Sequence, residues 1–169
     1  NYKANRINGE QLKQLETKSH QLEATIEGRF NESAYPIPKE LKLKKGAQVM
    51  FVKNDPEQRY FNGKIGTITK LTKKTIHVKC KDDKKTIEVE PTEWSNDKYT
   101  LDPESDKIVK ENIGKFIQFP LKLAWAVTVH KSQGLTFEEV VIDLKDTFAT
   151  GQLYVALSRC RSLEGISLI

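Results

Sequence analysis

Apolar residues follow different repeats in three successive stretches of the chain. Within residues 1–28 they recur near helical spacing. The residues that share this spacing are Ala4, Ile7, Leu12, Leu15 and Leu22. This pattern predicts a helix that starts with Asn1 as its cap and ends by Gly28.

Residues 45–119 instead have the pattern of β-strands. Gln48–Val52 is a strand candidate, and polar and apolar positions alternate within Lys64–Thr69, Thr75–Cys80 and Thr86–Val89. Turn signals at Asn62-Gly63 and Asp82-Asp83 separate them. Short strands at about ten-residue spacing predict a small β-barrel, with Trp94 as a packing aromatic.

The last stretch begins with a nearly continuous apolar run at 123–128, which predicts a strand buried on both faces of a parallel sheet. A polar segment at 130–136 follows, then a second apolar run at 140–144. The pattern next predicts a helix over 151–161 and a final strand over 166–169. This alternation of strands and helices predicts an α/β layer.

The three stretches together predict an α/β domain that is interrupted by a β-barrel. Residues 1–44 and 120–169 would form the two parts of the α/β domain, and residues 45–119 would form the inserted barrel.

The composition is that of a soluble globular protein, with 37% hydrophobic and 30% charged residues. No apolar run approaches the roughly 20 residues of a membrane span, so no membrane partner is expected. Cys80 and Cys160 form no Cys/His cluster. Two reduced thiols, no metal site and an intracellular protein, cytoplasmic if bacterial, are therefore expected.

The net charge of +5 and the pI of about 9.1 permit a phosphate-rich partner. Many lysines lie between Lys39 and Lys85, where acidic residues are interleaved with them. The same pattern also fits a solvated β surface.

One candidate for chemistry follows the apolar run at 123–128. Thr128, His130, Lys131 and Ser132 are donors suited to a phosphate backbone, and Gly134 permits close approach of a ligand. The carboxyl end of a parallel strand is where ligands bind in open α/β sheets, and a helix start favours anions. The alternative is an ordinary polar turn between a strand and a helix.

A second candidate is Arg159, near the end of the predicted helix over 151–161. With Arg161 it can simply complement the helix dipole. Alternatively, its planar guanidinium stabilises charge on a phosphoryl group that is being transferred.

Both segments resemble helicase motifs. Residues 118–137 resemble motif V, and residues 152–162 resemble motif VI, of the RecD-like branch of superfamily 1. Within that branch the similarity is closest to the petite-integration-frequency DNA helicases. Residues 43–54 resemble the start of that family's SH3-like insertion, and Asn8 and its neighbours match the helix after the first strand of the second motor domain.

The resemblance implies an incomplete RecA-like domain of the P-loop NTPase type, with a parallel sheet and an inserted SH3-like β-barrel. It implies that Arg159 is the catalytic arginine finger. The positions that match ATP contacts are Gln133, Gly134, Gln152, Tyr154 and Arg159. The positions that match contacts to the DNA backbone are Thr128, His130, Lys131 and Ser132, and Ser132 could serve either ligand.

The function implied is that of the C-terminal motor half of an ATP-dependent 5′–3′ DNA helicase. The expected partners are single-stranded DNA and the first RecA-like domain of the same parent protein. ATP and Mg²⁺ would be held mainly by that domain, because the chain has no GxxxxGK[ST] phosphate loop. The chain alone is therefore expected to be catalytically silent, and an exposed sheet edge could allow it to dimerise.

Three alternatives remain open at this point. The basic barrel could be a non-enzymatic nucleic-acid-binding module, or it could dock a protein partner. Within the helicase class, the parent could be a RecD-type subunit of a nuclease complex rather than a stand-alone motor.

Overall fold

The computed structural model of the chain describes four stretches, 2–81, 83–101, 108–145 and 151–169. The chain divides into two compact units: unit 1 combines Asn1–Gln11 with Ala124–Ile169, and unit 2 is Leu12–Leu123. The predicted helix cap Asn1 and the predicted turn residue Asp82 lie outside the described residues. The domain bounds that the sequence suggests, at 44/45 and 119/120, stay a prediction.

The first helix, α1 (Tyr2–Gln14), is shorter than the sequence predicts. The prediction of helix up to residue 28 is wrong, because strands β1 (Ser19–Glu23) and β2 (Thr25–Gly28) occupy its second half. Leu22 and Ala24 are buried while Glu23 and Thr25 are exposed. This alternation has the period of a strand, and pairing with distant strands decides the structure.

The described residues of unit 2 form three antiparallel sheets. A five-stranded sheet has the order β10-β4-β5-β6-β7. Its strands are β4 (Gln48–Phe51), β5 (Ile65–Leu71), β6 (Ile76–Cys80), β7 (Ile87–Val89) and β10 (Leu121–Leu123). The four strands predicted between residues 48 and 89 are thus confirmed, each within two residues at its ends.

The two other sheets of unit 2 pair distant parts of the sequence. β1 pairs with β3 (Glu40–Lys44), and β2 pairs with β9 (Ile108–Gln118), which also pairs with β8 (Thr92–Leu101). Trp94 packs edge-on against Phe116, with ring centroids 5.9 Å apart, so its prediction as a packing aromatic is confirmed. It lies in β8 and not in the five-stranded sheet.

One buried polar side chain links three segments of unit 2. Gln118 donates from Nε2 to the carbonyl oxygens of Leu22 and Lys39, both at 3.1 Å. Its Oε1 accepts the N–H of Phe119 at 3.0 Å. Because both its donor and its acceptor are bonded, this amide can be buried with little loss of free energy.

The sheet of unit 1 is small and parallel. β11 (Val140–Ile142) pairs with β12 (Ile166–Leu168), as the sequence predicts for two of its strands. Helix α2 (Gln152–Leu157) lies between them in sequence and is shorter than predicted. An isolated parallel bridge joins Phe137 to Cys160.

The predicted parallel strand over 123–128 is wrong. Leu123 ends β10, which is antiparallel to β4 in unit 2, and residues 124–129 form no strand. The backbone groups of Ala126 are bonded by a side chain instead of by a neighbouring strand. The described residues therefore form both antiparallel and parallel sheets, whereas the sequence predicts a parallel sheet for the α/β part. In the part of the chain that the structure describes, no helix has the length and apolar content needed to cross a membrane.

Candidate functional site

The loop from Thr128 to Gly134 is a tight turn around one turn of 3-10 helix, His130–Ser132. The N–H of Ser132 donates to the carbonyl oxygen of Thr128 at 3.0 Å, and that of Leu135 donates to Ser132 at 3.0 Å. Gly134 follows with φ of +78°, a conformation that other residues adopt at a cost. The helix that the sequence predicts to open here is therefore a single turn.

The polar side chains of this loop differ in accessibility. His130, Lys131 and Gln133 are exposed, and Thr128 is half-buried. The side chains of Thr128, His130 and Lys131 have no hydrogen bond or ion pair to other described residues. Three donors are thus available to a ligand at one end of the loop.

Ser132 differs from these residues because it is 4% exposed. Its hydroxyl donates to the carbonyl oxygen of Val129 at 2.7 Å. The side chain therefore closes the turn. Because the hydroxyl is engaged inside the loop, Ser132 is not presented to a ligand in the way that the exposed His130 and Lys131 are. Its assignment to DNA contact stays a prediction.

Asn8 of α1 holds the segment that leads into this loop. Its Nδ2 donates to the carbonyl oxygen of Ala126 at 2.8 Å, and the N–H of Ala126 donates to its Oδ1 at 2.9 Å. Sequence reasoning placed Asn8 only on the matching helix and gave it no role. The available signal was a polar residue four positions after Ala4 and four before Leu12, on the apolar face of the helix.

Helix α2 (Gln152–Leu157) is preceded by the left-handed cap residue Gly151 and followed by the cap residue Ser158. Ala156 is buried and Leu157 is half-buried. Leu153 is 40% exposed and Tyr154 is 76% exposed, so both are accessible on the surface of unit 1. Gln152 is half-buried.

Arg159 is half-buried directly after α2, and its guanidinium is partly engaged. Nε donates to the carbonyl oxygen of Val155 at 3.1 Å, and one terminal nitrogen lies 3.0 Å from the hydroxyl of Ser158. These contacts complement the carbonyl end of the helix, as the simpler sequence interpretation expects. A guanidinium has five N–H groups, so donors remain for another acceptor.

The two candidate segments are joined through Phe137. Its N–H donates to the carbonyl oxygen of Arg159 at 2.8 Å, and the N–H of Arg161 donates to its carbonyl oxygen at 3.0 Å. The Cys160 thiol lies 3.2 Å from the carbonyl oxygen of Glu138. A Cβ at Gly165 would lie 1.9 Å from that same oxygen, so only glycine fits there. The loop and the end of α2 thus belong to one hydrogen-bonded arrangement.

An ion pair connects α1 to the carboxyl end of β11. The ammonium of Lys3 lies 2.8 Å from a carboxylate oxygen of Asp143. This contact, together with the N–H of Lys145, holds the pKa of Asp143 below its usual range. Among the described residues, no group of three or more His, Cys, Asp or Glu side chains could hold a metal ion.

Comparison with known proteins gives the context of this arrangement. The family model of the UvrD-like helicase C-terminal domain matches residues 123–163, which contain both candidate segments. The ATP-dependent DNA helicase Pif1 of Bdellovibrio bacteriovorus is 41% identical over 138 residues, which is 82% of this chain and 29% of the relative. The chain belongs to the Pif1 helicase family.

Solved Pif1 structures agree with the sequence match over nearly the whole chain. A crystal structure of Bacteroides sp. Pif1 with ADP-AlF4 has a TM-score of 0.88 and 46% identity, and covers 99% of this chain and 38% of that one. The Bacteroides Pif1 structure bound to single-stranded DNA has a TM-score of 0.80 with the same identity and coverage. These helicase neighbours imply a RecA-like α/β fold. The chain spans about a third of the length of such Pif1 proteins.

Proposed function

We propose that this chain is the C-terminal motor half of an ATP-dependent 5′–3′ DNA helicase. The observation that carries the proposal is the joining of two segments by the backbone of Phe137, inside the region that matches a helicase C-terminal domain. One segment presents free donors at Thr128, His130 and Lys131, and the other presents Arg159. Such an arrangement can couple the binding of a ligand at the loop to the binding of a second ligand at Arg159.

The nucleotide side of the proposal rests on Arg159. Its guanidinium is oriented by Val155 and Ser158 but keeps unused donors, and it can bind a phosphate oxygen in a planar geometry. Gln133 and Gly134 on the loop, with Gln152 and Tyr154 on α2, would complete this side. These groups are cationic or neutral donors that suit phosphate oxygens.

ATP and Mg²⁺ are the implied cofactors. The described residues offer donors for the phosphates but no carboxylate cluster for the metal. We therefore assign the metal and the phosphate loop to a first RecA-like domain of the same protein. ATP supplies the phosphoryl bond whose hydrolysis drives the motor, and Arg159 stabilises negative charge on its phosphates. The chain alone would then lack turnover.

The DNA side rests on the exposed loop. Thr128, His130 and Lys131 would contact the phosphate backbone of single-stranded DNA without reading its sequence. Ser132 would act by closing the turn that presents them. Such a protein would work inside the cell, in the cytoplasm if it is bacterial.

The five-stranded antiparallel sheet of unit 2 would be the SH3-like insertion of the motor domain. This assignment is supported by four of its short strands. The strand at 48–51 lies within the sequence that resembles the start of that insertion, and the strands at 65–71, 76–80 and 87–89 follow it.

The test is DNA-stimulated ATP turnover of the full-length protein with Arg159→Ala. We expect turnover to fall by about 10³-fold or more while DNA affinity stays near that of the wild type. Arg161→Ala is the matched control, because the Arg161 side chain is exposed and its guanidinium lies 3.8 Å from the carboxylate of Glu138, a weak surface ion pair. Equal turnover in the two variants would contradict the role of Arg159.

A further inference from the structure

The most buried side chain of α1 is polar. Asn8 is 7% exposed, whereas Ala4 and Ile7 on the same side of the helix are only half-buried. A buried amide is unfavourable unless its donor and its acceptor are both bonded. Asn8 meets this requirement through Ala126, whose N–H and C=O it bonds at 2.9 Å and 2.8 Å.

Ala126 lies at a critical place in unit 1. Residues 124–129 form no strand that could fix their backbone. Two residues after Ala126, the carbonyl oxygen of Thr128 accepts the N–H of Ser132 and starts the candidate DNA loop. At the entry to the loop, the backbone of Ala126 is therefore held by the side chain of Asn8 and not by a neighbouring strand.

We propose that Asn8 is a positioning residue, which fixes where Thr128, His130 and Lys131 present their donors. The inference rests on the proposed DNA contacts of these residues. Asparagine suits the task because its amide donates to one backbone group and accepts from the other. Aspartate keeps the acceptor and loses the donor, and leucine loses both.

A purely structural role for Asn8 predicts a different result. If its loss only lowered stability, fewer molecules would bind, but each folded molecule would keep its phosphate contacts. If its loss moves the loop, phosphate contacts disappear from folded molecules. The dependence of log Kobs on log salt concentration separates the two cases, because its slope counts contacts at about 0.7 for each phosphate of a single strand.

The experiment compares Asn8→Asp and Asn8→Gln with Lys131→Ala in the full-length protein. Gly9→Ala is the matched control, since a Cβ at Gly9 meets no atom within 4 Å. We expect Asn8→Asp to raise the Kd for single-stranded DNA by about tenfold and to lower the salt slope. Asn8→Gln should cause smaller changes in both the Kd and the salt slope, and Gly9→Ala should change neither quantity.

Hydrogen exchange of the Ala126 amide gives a readout that is independent of DNA. This amide should be protected in the wild type and exchange faster in Asn8→Leu; if that variant does not fold, Asn8→Asp and Asn8→Gln decide the test through the salt slope. A lower slope in Lys131→Ala with an unchanged slope in Asn8→Asp would overturn the positioning role alone. Unchanged slopes in both variants would overturn the proposed DNA contacts and the positioning role with them.

Discussion

In unit 2 the buried residues are mainly apolar, many of them large, beside the polar Asp55 and Gln118, whereas the buried residues of unit 1 are small, aliphatic or polar. Phe51, Phe116 and Leu43 are completely buried in unit 2. In unit 1, burial includes Asn8 and Ser132, both of which bond the backbone. The difference shows that unit 2 is stabilised mainly by apolar burial, while unit 1 depends more on polar contacts that fix its loops.

Large apolar side chains are exposed in both units, since Phe61 and Ile108 of unit 2 are 60% and 74% exposed. A parallel sheet is normally covered on both faces, yet Val141 of β11 is 63% exposed. Tyr154 and Leu163, close to Arg159 in sequence, are 76% and 81% exposed. The proposed function accounts for this exposure, because a motor half must present a surface to the rest of the motor.

The largest expected effect lies in the core of unit 2. Phe116 packs against Trp94, Tyr35 and Phe30. We expect Phe116→Ala to lower the free energy of unfolding by about 3–5 kcal/mol, measured by urea denaturation. Phe61→Ala is the control, because Phe61 is 60% exposed, and its effect should stay within about 0.5 kcal/mol. Similar losses in the two variants would contradict the apolar core of unit 2.

A smaller, pH-dependent effect on the free energy of unfolding is expected for two paired carboxylates, Asp55 of unit 2 and Asp143 of unit 1. Arg59 donates to Asp55 at 2.6 Å and 3.0 Å and holds the pKa of Asp55 below its ordinary value of 3.8. Because the pKa is lower in the folded state, the contribution of this pair is complete above the unfolded pKa. It is lost as the pH falls through the folded pKa.

We therefore expect the Asp55→Asn variant to be less stable than the wild type by about 1–2 kcal/mol at pH 7, allowing for the half-exposed Arg59. The difference should shrink below about pH 4. Asp143→Asn removes a more exposed ion pair and should show a weaker change of the same sign. A difference for Asp55→Asn that does not vary with pH would show that the pair does not titrate with folding.

These two units were not equally predictable from the sequence. Alternation around Ile68, Val78 and Val89 was enough to predict strands, because their apolar faces pack on one core. The apolar run that starts at Leu123 misled the prediction, since a run cannot show that Asn8 would replace strand pairing at Ala126. Contacts 118 residues apart in sequence leave no local pattern.

The candidate site was predictable only in part. Resemblance supplied the residues Lys131 and Arg159, and spacing alone left each of them with an ordinary alternative. Neither the resemblance nor the spacing could show that Ser132 is buried or that Phe137 joins the two segments. These two features depend on backbone hydrogen bonds in the folded chain.

The smallest expected effect compares one lysine from each unit. Lys131→Ala should lower the salt slope for single-stranded DNA by about 0.7, the value for one phosphate contact. Lys85→Ala, in the lysine-rich part of unit 2, should leave the slope unchanged. A lower slope in Lys85→Ala with an unchanged slope in Lys131→Ala would instead indicate a DNA contact in unit 2. That result would favour the alternative of a basic binding module.

The most direct test of the account measures two quantities in one titration of the full-length protein: the maximal ATP turnover and the DNA concentration that half-saturates it. Arg159→Ala should lower the maximum by about 10³-fold, and Lys131→Ala should raise the half-saturating DNA concentration with little change in the maximum. If both variants changed the same quantity, or if Arg159→Ala kept its turnover, the proposed division between a nucleotide side and a DNA side would be contradicted.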